Sequence, residues 1–367
     1  MFQLQKPRSG ISLLILAMSK LLSMKLTDFD YVLPKELIAQ SALPKRTDAR
    51  LLVLNRSQQM IEHRTFRDIA DYFSKGDVLV LNDTKVLPAR IFAKRKTGGQ
   101  VEILVLKKSD NKVLIKPSGR VKAGEELILN EDPLILVKVL DPPDHQTGIR
   151  HIQILGNENL DSILEQIGHI PLPPYIDRED VPADRELYQT VFAKHSGAVA
   201  SPTAGLHFDQ TLLDQLRMKG VEILFVTLHV SYGTFQPVVN DDLAQHKMYE
   251  EYFEIPDETA EPINFAKADG RPITACGTTV IRTLESAATD SLPFEVETKN
   301  EMTELFIYPP YEFKIAERMI TNFHLPRTTL LMLTSAFAGH DFLMQAYREA
   351  IEKRYRFYSY GDAMLIL

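Results

Sequence analysis

One stretch of the chain restricts the possible folds more than any other. Residues 91–155 hold short runs rich in β-branched and long apolar side chains, separated by turn residues every five to ten positions. No helical periodicity interrupts these runs. This spacing predicts an antiparallel meander or small barrel of about six strands. Because helix-and-strand segments flank the stretch on both sides, we expect an inserted domain.

The rest of the chain reads as α/β. Strand–loop–helix units recur, as in "PITACGTTVIRTLESA" (272–287), and the helical run "FDQTLLDQLRMKG" (208–220) precedes the apolar strand "VEILFVTLHV" (221–230). Such units predict largely parallel strands in a barrel-like or layered core. The predicted domains are therefore a discontinuous α/β domain of residues 24–90 and 165–367, and an inserted β-barrel domain of residues 91–164.

Composition excludes several classes of protein. The formal net charge of -7 argues against binding nucleic acid by overall charge. No apolar run reaches the length that spans a bilayer, about 18 residues or more. The one cysteine, Cys276, allows no intrachain disulfide framework and no CxxC metal site. We therefore expect a cytoplasmic protein in a reducing compartment.

The first residues differ in character from the rest. Residues 1–23 combine Lys6 and Arg8 with an apolar run over 11–18, but no small-residue cleavage site follows. Domain-like patterning begins at Met24. We predict that residues 1–23 are a non-native or disordered N-terminal extension; a marginal helix and a targeting segment are the alternatives.

Polar groups follow several predicted strands directly. In α/β folds the functional site lies at the carboxyl ends of the strands, so these loops are expected to converge on one crevice. The segment "SPTAGLHF" (201–208) joins them just before a helix. The four strand-end loops are "NDTKVLPAR" (82–90), "HVSYGTF" (229–235), "CGTT" (276–279) and "FHLPRTT" (323–329).

Each candidate side chain has a chemical and a plainer structural interpretation. His229 titrates near neutrality and suits a general base, although a lone histidine in a strand is more often a hydrogen-bonded core residue. Thr278 begins a helix whose free N–H groups bind an anion, or it simply caps that helix. Arg327 suits a carboxylate or phosphate, or is a surface charge. Gly205 allows close backbone approach to a ligand, or forms a turn with Pro202.

Two further patterns bear on function. Basic clusters at 94–96 and in "KRYRFYSY" (353–360) suit phosphate contact and stacking on bases, although most such runs are solvated faces. The chain holds no GxGxxG after a strand, no GxxxxGK[ST], no HExxH and no GxSxG. This argues against dinucleotide dehydrogenases, P-loop enzymes, zincins and α/β-hydrolases.

Eight segments in order, from Met24 to the C-terminus, resemble the S-adenosylmethionine:tRNA ribosyltransferase-isomerase family of queuosine biosynthesis. Residues 1–23 are not part of this resemblance. The segments are "MKLTDFDYVLP", "VLNDTKVLPARI", "HIPLPPYI", "GAVASPTAGLHF", "VTLHVSYGTFQPV", "GTTVIRTLES", "ITNFHLPRTTLLMLTSAFAG" and "RFYSYGDAMLI".

The resemblance implies an α/β core interrupted by a β-barrel. It implies that the ribosyl part of S-adenosylmethionine is transferred and isomerised onto 7-aminomethyl-7-deazaguanine in the tRNA wobble position, giving epoxyqueuosine, adenine and methionine. S-adenosylmethionine is then a co-substrate, tRNA is the partner, and neither metal nor membrane is needed. We expect a monomer.

This chemistry makes specific demands on the site. A general base removes a proton from the carbon beside the sulfonium, which is acidic because the positive sulfur stabilises an ylide. Donors must stabilise the alkoxide that closes to the epoxide, and the acceptor amine must be neutral to attack.

The resemblance then implies roles for named residues. His207 or His229 is expected as the base, and Tyr232 as acid or donor. The glycines allow close backbone approach, Thr278 and Thr279 meet a carboxylate, Arg327 pairs with it or with a phosphate, and Asn82, Asp83 and Arg90 hold the ribose or the deazaguanine edge. The predicted substrate-binding residues are Asn82, Asp83, Thr84, Arg90, Thr203, Gly205, Gly233, Thr234, Gly277, Thr278, Thr279 and Arg327.

Two other functions remain open at this point. One is a nucleoside transglycosylase or glycosidase-like barrel that does not use S-adenosylmethionine, although a single cysteine disfavours a Cys-rich zinc version. The other is a non-catalytic tRNA-binding protein. Polar side chains on the strand-end loops argue against the latter, because the barrel alone would not need them.

Overall fold

The computed structural model describes residues 24–235, 238 and 241–367, without the side chains of residues 234 and 235. Residues 1–23 lie outside this part, so the prediction made for them stays a prediction. The first eight strands are β1 (Arg50–Asn55), β2 (Met60–Thr65), β3 (Val78–Asn82), β4 (Thr84–Val86), β5 (Arg90–Arg95), β6 (Gln100–Lys107), β7 (Lys112–Lys116) and β8 (Glu126–Glu131). The others in the described residues are β9 (Leu134–Val139), β10 (Arg150–Leu155), β11 (His195–Ala198), β12 (Glu222–Leu228), β13 (Glu251–Ile255), β14 (Ile273–Cys276), β15 (Lys299–Thr303), β16 (Arg318–Asn322) and β17 (Ala363–Ile366).

The helices lie almost entirely in the second half of the chain. Short 3-10 turns add to them, among them Phe66–Tyr72, Thr203–His207 and Tyr232–Phe235. The α-helices of the described part are α1 (Leu160–Ile167), α2 (Asp184–Leu187), α3 (Gln210–Met218), α4 (Asp257–Ala268), α5 (Thr278–Ser286), α6 (Thr329–Ala338) and α7 (His340–Glu352).

The core is an open nine-stranded sheet in the order β15-β13-β12-β3-β14-β16-β17-β1-β2. The neighbours β12, β3, β14 and β16 run parallel. The outer pairings are antiparallel except β1 with β17. The chain is therefore α/β as predicted, but the sheet is mixed rather than largely parallel, and layered rather than barrel-like.

Strand β3 lies inside the sheet and is covered on both faces. All five of its residues are buried. Val78 and Val80 pack into one apolar cluster, whereas Leu79 and Leu81 pack into another. Because successive side chains of a strand point to opposite faces, a continuous apolar run is what a central strand between two layers requires.

The predicted barrel is confirmed. Strands β5 to β10 close in the order β10-β7-β6-β5-β8-β9, with every pairing antiparallel. Leu160, Ile163 and Leu164 of α1 pack into the same apolar cluster as the barrel interior. The boundaries at which one domain passes into the other stay a prediction.

Candidate active site

A cavity lies at the carboxyl edge of the parallel strands. It follows from the topology, because β14 and β16 end side by side and each leads into a helix, α5 and α6. The empty space of the cavity, which includes the part open to solvent, is about 540 Å³. We call it the central cavity; it is lined by Tyr175, Ser201, Pro202, Thr203, Ala204, Val230, Gly277, Thr278, Thr279, Thr321, Asn322, Phe323, His324, Leu330, Tyr358 and Ser359.

The wall of the central cavity is uncharged. Among its described lining residues there is no Asp, Glu, Lys or Arg; hydroxyl groups and aromatic rings dominate. Its one imidazole, His324, is neutral, because burial lowers its pKa to about 3. Such a wall suits a planar organic ligand that carries several hydrogen-bonding groups.

The start of α5 forms one side of this cavity. Gly277 holds φ +98°, a conformation that favours glycine, and offers no side chain to cap the helix. Two hydroxyls beside this helix start, Thr279 Oγ1 and Ser201 Oγ, are buried without a hydrogen-bond partner among the described residues. The helix dipole and the free N–H groups therefore leave a place for an anionic group of a ligand.

Asn322 is the centre of a hydrogen-bond network behind the cavity wall. Its Nδ2 lies 3.0 Å from His207 Nε2, and Thr203 Oγ1 donates to its Oδ1 at 2.9 Å. Burial, and then the charges of Arg46 and Arg356, lower the pKa of His207 to about 3. His207 is thus a neutral acceptor that fixes the amide of Asn322, and it does not itself line the central cavity.

Sequence reasoning missed several cavity residues. Tyr175 Oη lies 2.5 Å from Ser359 Oγ, and the rings of Tyr175 and Tyr358 are 3.7 Å apart. Tyr358 and Ser359 belong to the cluster that the sequence presented as a basic aromatic run. The sequence signal for these residues was the number of aromatic side chains in that run, because a solvated basic face does not need them.

A second group of predicted residues gathers at the ends of β3 and β12. Thr227 Oγ1 donates to Asp83 Oδ1 at 2.6 Å, and His195 Nε2 lies 3.6 Å from Asp83 Oδ2. Burial raises the pKa of the Asp83 carboxyl. These residues, with Glu254 and Glu258, line an open cleft of about 1000 Å³, which we call the Asp83 cleft.

His229 and Thr84 form a pair beside this group. Thr84 Oγ1 lies 2.8 Å from His229 Nδ1, and the imidazole stacks on Tyr252 at 5.6 Å. Burial, and then the nearby His195, lower the pKa of His229. Its Nε2 has no hydrogen-bond partner in the described part of the chain and faces the backbone of Gly197. The ring is therefore neutral at neutral pH, with one nitrogen held by Thr84.

Asn82 serves the backbone. Its Nδ2 donates to Leu228 O at 3.0 Å, and its Oδ1 accepts from the backbone N–H groups of Thr84 and Leu228 at 3.1 Å. This amide holds the ends of β3 and β12 in register, and it lines neither the central cavity nor the Asp83 cleft.

Three predicted residues lie away from the central cavity. Arg90 donates to Leu172 O at 2.9 Å and pairs with Glu102 on the barrel. Arg327 is about half exposed, with its Nε 3.6 Å from Asp30 Oδ2. A Cβ on Gly205 would lie 2.8 Å from the ring of Phe192, so packing in itself favours glycine at this position.

The remaining predicted residues lie on the loop after β12. Tyr232 Oη accepts from Lys116 Nζ of the barrel at 3.3 Å. A Cβ on Gly233 would collide with the ring of Tyr249, at 2.1 Å. The side chain of Thr234 is not among those that the structure describes. The loop thus joins the α/β core to the barrel.

The described residues contain no group of three or more His, Cys, Asp or Glu side chains arranged to hold a metal ion. None of their helices has the length and apolar character needed to cross a membrane. Cys276 is a buried free thiol, and burial raises its pKa.

Fold and cavity together define a class: an α/β protein with a closed antiparallel β-barrel and an uncharged cavity at the sheet edge. The sequence model described as "Queuosine biosynthesis protein" matches residues 26–366. The chain therefore belongs to the queuosine biosynthesis protein family.

Relatives and a solved structure agree with this family. The chain is 49% identical, over 94% of its length and 100% of theirs, to the S-adenosylmethionine:tRNA ribosyltransferase-isomerases of Sulfurihydrogenibium sp. and Aquifex aeolicus. It also matches the crystal structure of S-adenosylmethionine tRNA ribosyltransferase from Thermotoga maritima, with a TM-score of 0.53 and 38% identity over 93% of this chain and 100% of that one.

Proposed function

We propose that this chain transfers and isomerises the ribosyl moiety of S-adenosylmethionine onto 7-aminomethyl-7-deazaguanine in the wobble position of tRNA, releasing adenine and methionine. The names of its relatives supply the reaction. The observation that carries the proposal is the central cavity, whose uncharged hydroxyl and aromatic wall runs into the uncapped start of α5.

The co-substrate fits this arrangement in two parts. The adenosine part occupies the central cavity, where hydroxyls such as Ser201 and Thr203 meet its polar groups and Tyr358 offers a ring. The carboxylate of the methionine part lies at the start of α5, where Thr278 and Thr279 present backbone N–H groups and hydroxyls. S-adenosylmethionine is a co-substrate here, and its own sulfonium supplies the reactivity.

We infer that His229 is the general base. It lies on the chain between Thr227, which lines the Asp83 cleft, and Val230, which lines the central cavity. Thr84 holds its Nδ1, which leaves Nε2 as the nitrogen that takes the proton. His207 differs because its Nε2 already accepts from Asn322, so it is a positioning residue.

Two further groups complete the proposed site. The Lys116 ammonium donates to the oxygen of Tyr232, which leaves the phenol proton available for donation to a developing alkoxide. Asp83, at the cleft beside His229, accepts from the N–H groups of the acceptor base.

The base assignment is tested by replacing His229 with alanine. We expect turnover with S-adenosylmethionine and precursor tRNA to fall by about 100-fold or more, because general-base catalysis contributes on the order of 10²–10⁴. The affinity for S-adenosylmethionine should change little. His145→Ala, on an exposed barrel loop, is the matched control. Undiminished turnover by His229→Ala would remove His229 from the base role.

A further inference from the structure

A smaller chamber adjoins the central cavity beneath the start of α5. Its empty space, which includes the part open to solvent, is about 340 Å³, and it shares Thr278, Thr279 and Leu330 with the central cavity. Unlike the central cavity, this side chamber is lined by two charged residues, Arg282 and Glu251. A ligand with a neutral end and a charged end would therefore place the neutral end in the central cavity and the charged end in the side chamber.

Arg282 is buried with incomplete hydrogen bonding. The residue is 4% exposed. Its Nη1 donates to Glu251 Oε2, and its Nε donates to Leu305 O at 2.9 Å. Nη2 has no partner among the described residues. A buried guanidinium nitrogen without an acceptor is costly, so this nitrogen marks a place for an anionic oxygen.

The position of Arg282 on α5 directs it to the helix start. Thr278 and Thr279 precede it by four and three residues, so the three side chains share one face of the helix. Thr279 Oγ1 is also buried without a partner in the described chain. Two hydrogen-bond donors that lack an acceptor in the described part of the chain, Arg282 Nη2 and Thr279 Oγ1, thus border the side chamber together with the N-terminal N–H groups of α5.

Glu251 supplies the opposite charge. Its Oε1 accepts from Ser231 N at 2.7 Å, while its other oxygen meets Arg282. The chamber therefore presents one cation and one anion at a short separation. This pattern matches an α-amino-acid zwitterion, whose carboxylate and ammonium are held on a single carbon.

We propose that the side chamber is the subsite for the α-amino-acid end of the co-substrate, with the carboxylate bound by Arg282 Nη2 and the start of α5, and the ammonium beside Glu251. This inference rests on the proposed function. It adds a specificity-determining residue, Arg282, which the sequence analysis did not name, and which takes the place there assigned to Arg327.

The experiment measures binding of two probes to the full chain by calorimetry: L-methionine, and 3-(methylthio)propylamine, which lacks the carboxylate. The wild type should bind L-methionine at least 10-fold more tightly. Arg282→Gln should remove that preference while leaving the affinity for adenine unchanged. Arg217→Gln, a surface arginine paired with Asp214, is the matched control and should keep the full preference.

Two outcomes would overturn the subsite. One is equal binding of both probes by the wild type, which needs no variant. The other is an undiminished preference in Arg282→Gln. If Arg282→Gln does not fold because the buried Glu251 carboxylate loses the guanidinium, the double variant Arg282→Met/Glu251→Gln should lose the preference in the same way. Turnover of S-adenosylmethionine by a wild type that binds both probes equally would refute the subsite alone, whereas absence of turnover with bound tRNA would refute the proposed function.

Discussion

Gly197→Ala tests whether the position of the His229 ring controls turnover. A Cβ at residue 197 would lie 2.5 Å from both Cδ2 and Nε2 of His229 and 2.7 Å from Cε1. Non-bonded carbon atoms normally approach to about 3.5–4.0 Å, so the ring must move by about 1 Å. The backbone of Gly197 does not itself require glycine, since no positive φ is found there.

The size of the expected effect follows from the contacts that hold the His229 ring. Moving it breaks the hydrogen bond with Thr84, which contributes about 1 kcal/mol, and overpacking adds about 1–3 kcal/mol of destabilisation. A misplacement of about 1 Å in a reacting group lowers the rate by about 100-fold. We therefore expect a folded protein with a modestly lower free energy of unfolding and a turnover reduced about 100-fold.

The assay is release of adenine from S-adenosylmethionine in the presence of precursor tRNA, with unfolding followed by urea titration. Gly119→Ala is the control, because a Cβ there meets no atom within 4 Å and the residue lies in the barrel. The control should keep wild-type turnover. If the turnover of Gly197→Ala stays within threefold of wild type while the His229 imidazole is shown to have moved, the position of His229 does not govern the reaction.

Two further predictions concern His207 and Arg327. His207 has a folded-state pKa near 3, below its unfolded value, so acidification protonates the unfolded chain first and stability falls as the pH drops below about 6.5. Relative to wild type, His207→Gln should lose about 2 kcal/mol less free energy of unfolding between pH 7 and pH 5, measured by urea titration at both pH values; parallel losses would contradict the buried neutral imidazole. Arg327→Ala should change stability by only about 0.5 kcal/mol, because the pair with Asp30 is exposed, and should leave the KM for S-adenosylmethionine within twofold in steady-state kinetics. A large rise in KM would place Arg327 at the substrate after all.

Local pattern was sufficient for the parts of the fold built from neighbouring segments. The strands of the barrel could be predicted because turn residues separate them, and four of the six pairings join neighbours along the chain; β5 with β8 and β10 with β7 are the other two. The polar ends of β3 and β14 could be predicted because an apolar run stops abruptly at Asn82 and at Gly277. In both cases the sequence pattern that allows the prediction lies within about ten consecutive residues.

Contacts between distant segments could not be predicted in this way. β17, at the C-terminus, pairs with β1 in parallel and with β16 antiparallel, which makes the sheet mixed. Asn322 and His207 meet across 115 positions. The pair of Arg327 with Asp30 is another such contact: the charge next to a helix start predicted a ligand site, which stays a prediction, and nothing in the sequence indicated that Arg327 Nε lies 3.6 Å from Asp30 Oδ2.

The most direct test of the account is the product ratio from purified protein, S-adenosylmethionine and tRNA that carries the aminomethyl precursor. We expect adenine and methionine to appear together in equal amounts, one of each per modified tRNA. Release of S-adenosylhomocysteine in their place, or binding of tRNA without turnover, would contradict it.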